Sequence, residues 1–172
     1  MKCFLEQISD KHFRSLNEFE CREEDMENFL KNEAYKYNED GEGNTYILIN
    51  ESNNIVAYYT LKANSLQIVD SESRYMKYRV FPAVEIARLA VDMNYEAQGI
   101  GSSLLAHIIK EVNEVKKIMG IKYIFLFSVP SALRFYKTKN KAKVQFKEFP
   151  KGVEFLKDSL SQDDCTPLYI TI

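Results

Sequence analysis

Cysteine and histidine are scarce in this sequence of 172 residues, which holds three cysteines and two histidines. Cys3, Cys21 and Cys165 lie far apart, and no C-x-x-C pair occurs. A disulfide framework or a cysteine zinc site needs more ligands at closer spacing, and His12 and His107 cannot form a metal cluster alone. We therefore expect no metal cofactor.

Long apolar runs are also missing from the sequence. No uninterrupted apolar stretch approaches the length of a membrane-spanning helix. Charged residues occur within the first six positions, before any run that could serve as a signal peptide. We therefore expect a cytoplasmic protein with no membrane partner. The G-x-S-x-G elbow and the G-x-x-x-x-G-K-[ST] phosphate loop are absent as well.

The composition predicts a soluble globular chain, because 45% of the residues are hydrophobic and 28% are charged. A length of 172 residues fits a single domain, 1–172, with one sizeable core. No repeat, low-complexity tract or long linker divides it.

Charge is unevenly distributed along the chain, although the net charge of −2 argues against broad nucleic-acid binding. Residues 18–42 contain ten acidic and three basic residues. Residues 134–151 contain seven basic residues and one acidic residue. The asymmetry fits a basic rim beside a polyanion, and it fits equally well two solvated faces of opposite sign.

Hydrophobic periodicity predicts alternating strands and helices. Strands are predicted at 2–8, 45–49, 55–61, 84–91, 123–129, 144–146 and 168–172, and helices at 22–38, 99–119 and 130–139. Residues 66–81 fit either an extended loop or an edge strand. This pattern predicts an α/β (α+β layered) domain with a mixed sheet flanked by helices.

The most informative segment is a turn with two glycines between a buried strand and a long helix. Gly99 and Gly101 allow the main chain to approach a ligand closely. Such a turn leaves unpaired amides at the positive end of the helix dipole, which suits a pyrophosphate. The alternative is an ordinary tight strand–helix connection.

The context of these glycines resembles a known motif. Arg-Leu-Ala-Val-Asp at 88–92, followed by Gly-Ile-Gly-Ser-Ser-Leu-Leu at 99–105, is similar to the acetyl-coenzyme A motif of the GNAT N-acetyltransferase family. The resemblance implies the GNAT fold, with a mostly antiparallel sheet of about six to seven strands, and acetyl-CoA as co-substrate. It also implies that the strand main chain pairs with the pantetheine arm and that the loop amides cradle the pyrophosphate. The corresponding residues are Leu89, Ala90, Val91, Gln98, Gly99, Ile100, Gly101, Ser102 and Ser103.

Two positions depart from the family pattern. Glu96 stands where the motif has Arg or Gln, and Ala97 stands where many members have Gly. A carboxylate beside a diphosphate is unfavourable unless its side chain turns away.

Two further residues are candidates for catalysis. The segment 132–136, Ala-Leu-Arg-Phe-Tyr, resembles the family's A-x-x-F-Y segment, which implies that Tyr136 protonates the departing thiolate; the alternative is packing against the sheet. Glu85 interrupts an apolar strand on the same side as Leu89 and Val91, where a carboxylate needs a partner or a function. A general base at this offset occurs in the histone-acetylating branch, and the alternative is a salt bridge to Arg88 or to another strand.

Several segments resemble toxin-type members of the family: 19–34, 55–61, 86–92 and 166–170. The resemblance implies acetylation of the amine of aminoacyl-tRNA, a ribbon-helix-helix antitoxin as partner, and a possible homodimer. Two alternatives stay open: a small amine or protein amine as acceptor, and a member that binds coenzyme A or a partner without catalysis. Arg74, Lys77, Arg79 and the basic residues of 134–151 are the candidates to contact tRNA or the 3′-phosphate of coenzyme A.

Overall fold

The computed structural model describes residues 2–69, 78–149, 153–154 and 164–172. These residues contain eight strands: β1 Cys3–Gln7, β2 Asn44–Asn50, β3 Ile55–Val69, β4 Tyr78–Val91, β5 Tyr123–Ser128, β6 Lys147–Glu148, β7 Val153–Glu154 and β8 Thr166–Thr171. The α-helices among them are α1 Phe13–Leu16, α2 Glu24–Asn32, α3 Ala34–Glu39 and α4 Ile100–Val115. Short 3-10 turns occur at Asp10–His12, Met93–Tyr95 and Pro130–Ala132, and a π-helical turn at Phe135–Lys139.

The strands form one sheet in the order β1-β2-β3-β4-β5-β8-β6, and β7 pairs with β3. β4 and β5 are parallel over Ala83–Glu85 and Tyr123–Phe125, whereas β1–β2, β2–β3, β3–β7, β5–β8 and β6–β8 are antiparallel. A parallel pair requires a crossover, and the chain between β4 and β5 contains α4. The predicted mixed, mostly antiparallel sheet of the GNAT fold is thereby confirmed. Two of the eight strands in the described residues have only two residues each, which accounts for the excess over six or seven.

The chain divides into two compact units, Met1–Lys62 with Ile86–Leu105, and Ala63–Glu85 with Ala106–Ile172. The prediction of a single domain, 1–172, stays a prediction.

The first unit has a core of aliphatic and aromatic side chains from β1–β3 and the helices between them. Its buried members are Ile8, Leu16, Phe19, Phe29, Leu30, Ala34, Ile47, Ile49, Ile55 and Tyr58. The Tyr58 hydroxyl donates a hydrogen bond to the Met26 carbonyl at 2.6 Å, which ties β3 to α2. Burial raises the pKa of Tyr58, so this donor keeps its proton.

The second unit has an aromatic core on β3–β5 and β8. Leu66, Ala83, Tyr123 and Phe125 are buried, with Phe81, Phe127, Phe149 and Tyr169 packed against them. The nearly continuous apolar run of β5 predicts such a buried strand, because β5 has neighbours on both edges.

Residues 51–54 form the turn of the β2–β3 hairpin, between the strands predicted at 45–49 and 55–61. Asn50 Oδ1 accepts hydrogen bonds from the amides of Ser52 and Asn54, at 2.9 and 3.0 Å. Asn53 has φ of +61°, the left-handed conformation that asparagine tolerates better than most residues.

Three predicted elements differ from the structure. The helix predicted at 22–38 is two helices, α2 and α3, which are interrupted at Glu33, where φ is −121°. The apolar face continues across the break, since Phe29, Leu30 and Ala34 are all buried. The helix predicted to end at 119 ends at Val115, followed by a tight turn in which Ile118 and Met119 are exposed.

The strand predicted at 144–146 is the third difference, because β6 begins only at Lys147. The main-chain groups of this segment already have other partners. The Asn140 side chain donates to the Val144 carbonyl and accepts from the Val144 amide. The Phe146 amide donates to the Tyr136 carbonyl at 3.2 Å. Of the ambiguous stretch 66–81, residues 66–69 and 78–81 are strand, and 70–77 lie outside the described residues.

Candidate active site

The turn between β4 and α4 has the main-chain geometry that the two glycines predict. β4 ends at Val91, a 3-10 turn covers Met93–Tyr95, and α4 begins at Ile100. Gly99 has φ of +85°, which favours glycine. Ala97 has φ of +60°, so the alanine at this position is strained by about 1 kcal/mol, and glycine would relieve that strain.

Amides at the start of α4 are available as hydrogen-bond donors. The Gly99 carbonyl accepts from the amide and the hydroxyl of Ser103, at 3.1 and 3.2 Å. In the described part of the chain, the amides of Gly99, Ile100 and Gly101 donate to no main-chain oxygen. Because the helix dipole adds a partial positive charge here, the turn can bind an anion through its main chain.

A buried carboxylate holds this turn in place. Asp92 is 3% exposed, and its Oδ1 accepts from the Asn94 amide at 2.9 Å. Its Oδ2 accepts from the Glu20 amide at 3.1 Å, and the Glu20 carbonyl accepts from the Met93 amide at 2.9 Å. Sequence reasoning assigned Asp92 no role, although an Asp directly after a strand is a signal for an Asx turn, in which its side chain accepts from the main-chain amide two residues on.

The last residues of β4 alternate in the direction of their main-chain groups. The Asp92 amide donates to Val56 of β3 at 3.0 Å. Successive residues of a strand direct their amides and carbonyls to opposite edges, so those of Leu89 and Val91 point away from β3. The Ala90 side chain packs against the core of the first unit. By the same alternation the amide and carbonyl of Ala90 face β3, so the predicted ligand contact of Ala90 stays a prediction.

Glu96 does not stand unpaired at the turn. Arg22 Nε lies 2.9 and 3.0 Å from the two Glu96 carboxylate oxygens, and Arg22 Nη2 donates to Oε2 at 2.7 Å. The carboxylate is therefore neutralised by a guanidinium from the segment before α2.

Tyr136 lies in the π-helical turn after β5, within the second unit. It is 7% exposed, and its ring packs edge-on against Phe135 and Phe146. Burial raises the pKa of the phenol well above its usual value. Among the described residues the hydroxyl has no hydrogen-bond partner, so none of them competes for its proton.

Asn140 fixes the main chain around Tyr136. Its Nδ2 donates to the carbonyls of Phe135 and Val144, at 3.0 and 2.7 Å, and more weakly to that of Tyr136, at 3.4 Å. Its Oδ1 accepts from the Val144 amide at 3.2 Å. A π-helical turn leaves some carbonyls without their regular helical donors. Here the Asn140 side chain provides the missing donor. Sequence reasoning missed Asn140, because its partners are identifiable only in the folded chain.

Glu85 is 8% exposed and has a specific partner. Its Oε2 accepts a hydrogen bond from Asn64 Nδ2 at 2.8 Å. The alternative salt bridge to Arg88 is not formed, since that guanidinium lies 4.8 Å from the Phe29 ring centroid and donates to the Ala87 carbonyl. Asn64 supplies the compensation that burial of a carboxylate requires.

The predicted site residues fall into two groups. Leu89, Ala90, Val91 and 98–103 belong to the first unit, and Glu85 and Tyr136 belong to the second.

No set of three or more His, Cys, Asp or Glu side chains that could hold a metal ion occurs in the described ranges. Within those ranges, no helix combines the length and apolar character needed to cross a bilayer.

The sequence model of the acetyltransferase (GNAT) family matches residues 6–139. This chain belongs to that family, and its enzyme class is therefore acetyltransferase, as the motif at 88–105 predicts.

Solved structures with the same fold include toxins. The AtaT complex with acetyl-methionyl-tRNAfMet has a TM-score of 0.75 and 22% identity, covering 99% of this chain and 95% of that one. A tyrosine-to-phenylalanine mutant of the AtaT toxin, bound to the C-terminus of the antitoxin AtaR and acetyl-CoA, has a TM-score of 0.75 and 22% identity, covering 99% and 94%. The KacTA–DNA complex has a TM-score of 0.71 and 25% identity, covering 99% and 93%.

Replacing Asn140 with alanine should destabilise the segment that carries Tyr136. The change leaves the partly buried main-chain groups of Val144 and Phe135 without their partner, and the free energy of unfolding should fall by about 1–3 kcal/mol. Denaturant unfolding measures the loss. Asn113→Ala is the matched control, because the Asn113 amide also donates to a carbonyl, that of Ile109, but on an exposed helix surface. Equal stability of the two variants would contradict the role of Asn140.

Proposed function

We propose that this protein transfers the acetyl group of acetyl-CoA to the primary amine of an aminoacyl group on transfer RNA. The observation that carries the proposal is the set of free amides at Gly99, Ile100 and Gly101, which offers a main-chain site for a diphosphate. Solved structures of AtaT, a toxin with this fold, include complexes with acetyl-CoA and with acetyl-methionyl-tRNAfMet.

The residues around the turn fit coenzyme A. In the proposed complex the turn 98–103 holds the pyrophosphate through the amides of Gly99, Ile100 and Gly101, and the strand residues Leu89, Ala90 and Val91 lie along the pantetheine arm. Leu89 and Val91 direct their amides and carbonyls away from β3, which leaves them available for such pairing. Acetyl-CoA supplies the activated acyl group, and coenzyme A departs as the free thiol.

Tyr136 is the proposed proton donor to the departing sulfur. A general acid must hold its proton until the transition state, and the raised pKa of this phenol keeps it protonated at neutral pH. The hydrogen bonds of Asn140 fix the main chain from which the ring projects.

Glu85 is the proposed base that accepts the proton of the attacking ammonium, directly or through a water molecule. Asn64 binds one carboxylate oxygen, at 2.8 Å, which leaves the other as an acceptor. In the structural alternative Glu85 serves only to bind Asn64, and replacing it with glutamine would then leave kcat unchanged.

Charge supports the proposed acceptor in addition to the resemblance. Arg134, Lys143 and Lys147 are exposed in the basic segment, whereas Lys137 is paired with Glu148 at 2.6 Å. Arg79 lies over the Phe81 ring at 5.0 Å, a combination of cation and aromatic ring that suits nucleic acid. Arg74 and Lys77 lie outside the described residues. A ribbon-helix-helix antitoxin, a homodimer and a cytoplasmic location are further parts of the proposal.

The acceptor can be identified with acetyl-CoA labelled in the acetyl group and a panel of charged tRNAs, polyamines and peptides. We expect label on the aminoacyl end of tRNA, released by mild alkaline hydrolysis of the ester together with the amino acid. Uncharged tRNA is the control. Label on polyamines or peptides would replace the tRNA proposal with a small or protein amine, and acetyl-CoA binding without transfer would indicate a non-catalytic member.

Replacing Tyr136 with phenylalanine should lower kcat by about a hundredfold or more, because the variant has no proton donor for the leaving thiolate. The KM for acetyl-CoA should change little. Since burial raises the pKa of Tyr136, ionisation of this phenol should not reduce the wild-type kcat between pH 7 and about 10. Tyr46→Phe is the matched control, because its ring stacks on Tyr59 and the stack survives the change. Equal rates for the two variants would exclude the catalytic role.

Replacing Glu85 with glutamine tests the base while keeping an oxygen acceptor for Asn64. If Glu85 accepts the proton, kcat at neutral pH should fall by about a hundredfold. Thermal unfolding should be close to that of the wild type. An unchanged kcat would support the structural alternative.

A further inference from the structure

The ion pair between Arg22 and Glu96 includes a residue of the candidate diphosphate turn, since Glu96 lies between β4 and α4. It is bidentate, with the nitrogen–oxygen distances of 2.7, 2.9 and 3.0 Å given above. The Arg22 side chain is 73% exposed and that of Glu96 is 29% exposed. The hydrogen bond to Glu96 raises the pKa of the Arg22 guanidinium, which stays charged at every accessible pH.

Main-chain bonds fix the segments from which both side chains project. The Glu20 amide and carbonyl bind Asp92 and Met93, as described above. Directly before Arg22, the Cys21 amide donates to Glu27 Oε2 at 3.3 Å. The two segments are 74 residues apart in the chain, and the pair joins them beside a shared set of main-chain bonds. This fixed backbone distinguishes it from an isolated surface ion pair, which contributes little.

The charge of Glu96 matters because of its position. It lies three residues before Gly99, whose amide is one of the free donors. An unpaired carboxylate there would repel a diphosphate and weaken its binding several-fold. Arg22 cancels that charge through Nε and Nη2, and Nη1 takes no part in the contact.

We propose that Arg22 is a positioning residue for acetyl-CoA, which makes the turn competent for the diphosphate by neutralising Glu96 and holding its carboxylate aside. This inference rests on the proposed use of acetyl-CoA. It assigns the segment before α2 a role in co-substrate affinity, which the motif at 88–105 does not include.

A purely structural ion pair predicts a different pattern of variants. If the pair only joined two segments, removing either partner would have the same effect, because each change breaks the same contact. If Arg22 acts by cancelling charge, removing Arg22 is harmful, whereas removing the Glu96 carboxylate is not. The double variant, without either charge, then recovers the wild-type affinity.

The experiment measures the Kd of acetyl-CoA and steady-state kinetics for Arg22→Ala, Glu96→Gln and the double variant. We expect the Kd and KM of Arg22→Ala to rise about fivefold with kcat unchanged, and the difference to shrink at high salt. Glu96→Gln and the double variant should bind as tightly as the wild type or more tightly. S-acetylpantetheine, which has no diphosphate, should react equally with all four proteins. Lys117→Ala, which removes the exposed pair with Glu114, is the control ion pair.

Equal losses in Arg22→Ala and Glu96→Gln, without recovery in the double variant, would overturn the inference in favour of a structural pair. Unchanged Kd values throughout would overturn it as well. Neither result would affect the proposed function, which fails separately if the wild-type protein does not bind acetyl-CoA. Thermal unfolding of each variant identifies a loss that comes from misfolding.

Discussion

The main chain on either side of Asp92 is the constraint on which the candidate site depends. Strand β4 must end at Val91 and helix α4 must begin at Ile100, with its first amides left without main-chain acceptors in the described part of the chain. Burial of a carboxylate costs free energy unless the group is hydrogen-bonded. Asp92 meets this condition because it accepts hydrogen bonds from the main-chain amides of Asn94 and Glu20. The same bonds that stabilise the buried charge hold the turn open for a ligand.

A second fixed segment surrounds Tyr136. The π-helical turn Phe135–Lys139 departs from regular helical hydrogen bonding, and such turns occur often at functional sites. Asn140 compensates by binding main-chain groups on both sides of itself. Because these groups are occupied by Asn140 and by the Tyr136 carbonyl, the chain cannot join the sheet until Lys147.

Local pairing does not even out the charge distribution that the sequence suggests. Within the acidic stretch 18–42, Glu27 pairs with Lys31 at 2.6 Å, and Arg22 binds a carboxylate from outside the stretch. In the basic stretch, Lys137 is paired with Glu148. The pairs Glu27–Lys31 and Lys137–Glu148 leave the net charge of their own stretches unchanged. Arg22 is one of the three cations of the acidic stretch and pairs instead with an outside carboxylate, so folding does not reduce the contrast between the two regions.

The sequence by itself determined the features that depend on neighbouring residues. The apolar run of β5, the hairpin at Asn50–Ile55 and the glycine turn before α4 are local patterns, and periodicity and turn chemistry identify them. The resemblance at 88–105 extended these patterns to the family. The break between α2 and α3 was not predicted. A break of one residue does not interrupt the apolar spacing, so the two helices were predicted as one.

Only the tertiary structure decided which side chains meet. Arg22 reaches Glu96 across 74 residues, Asn64 reaches Glu85 across 21, and Glu20 reaches Asp92 across 72. None of these pairs leaves a local signal, because a hydrogen bond between distant segments depends on how strands and loops pack and not on the residues beside it. The sequence therefore identifies the turn that offers donors to an anion, whereas the fold determines how each nearby carboxylate is held.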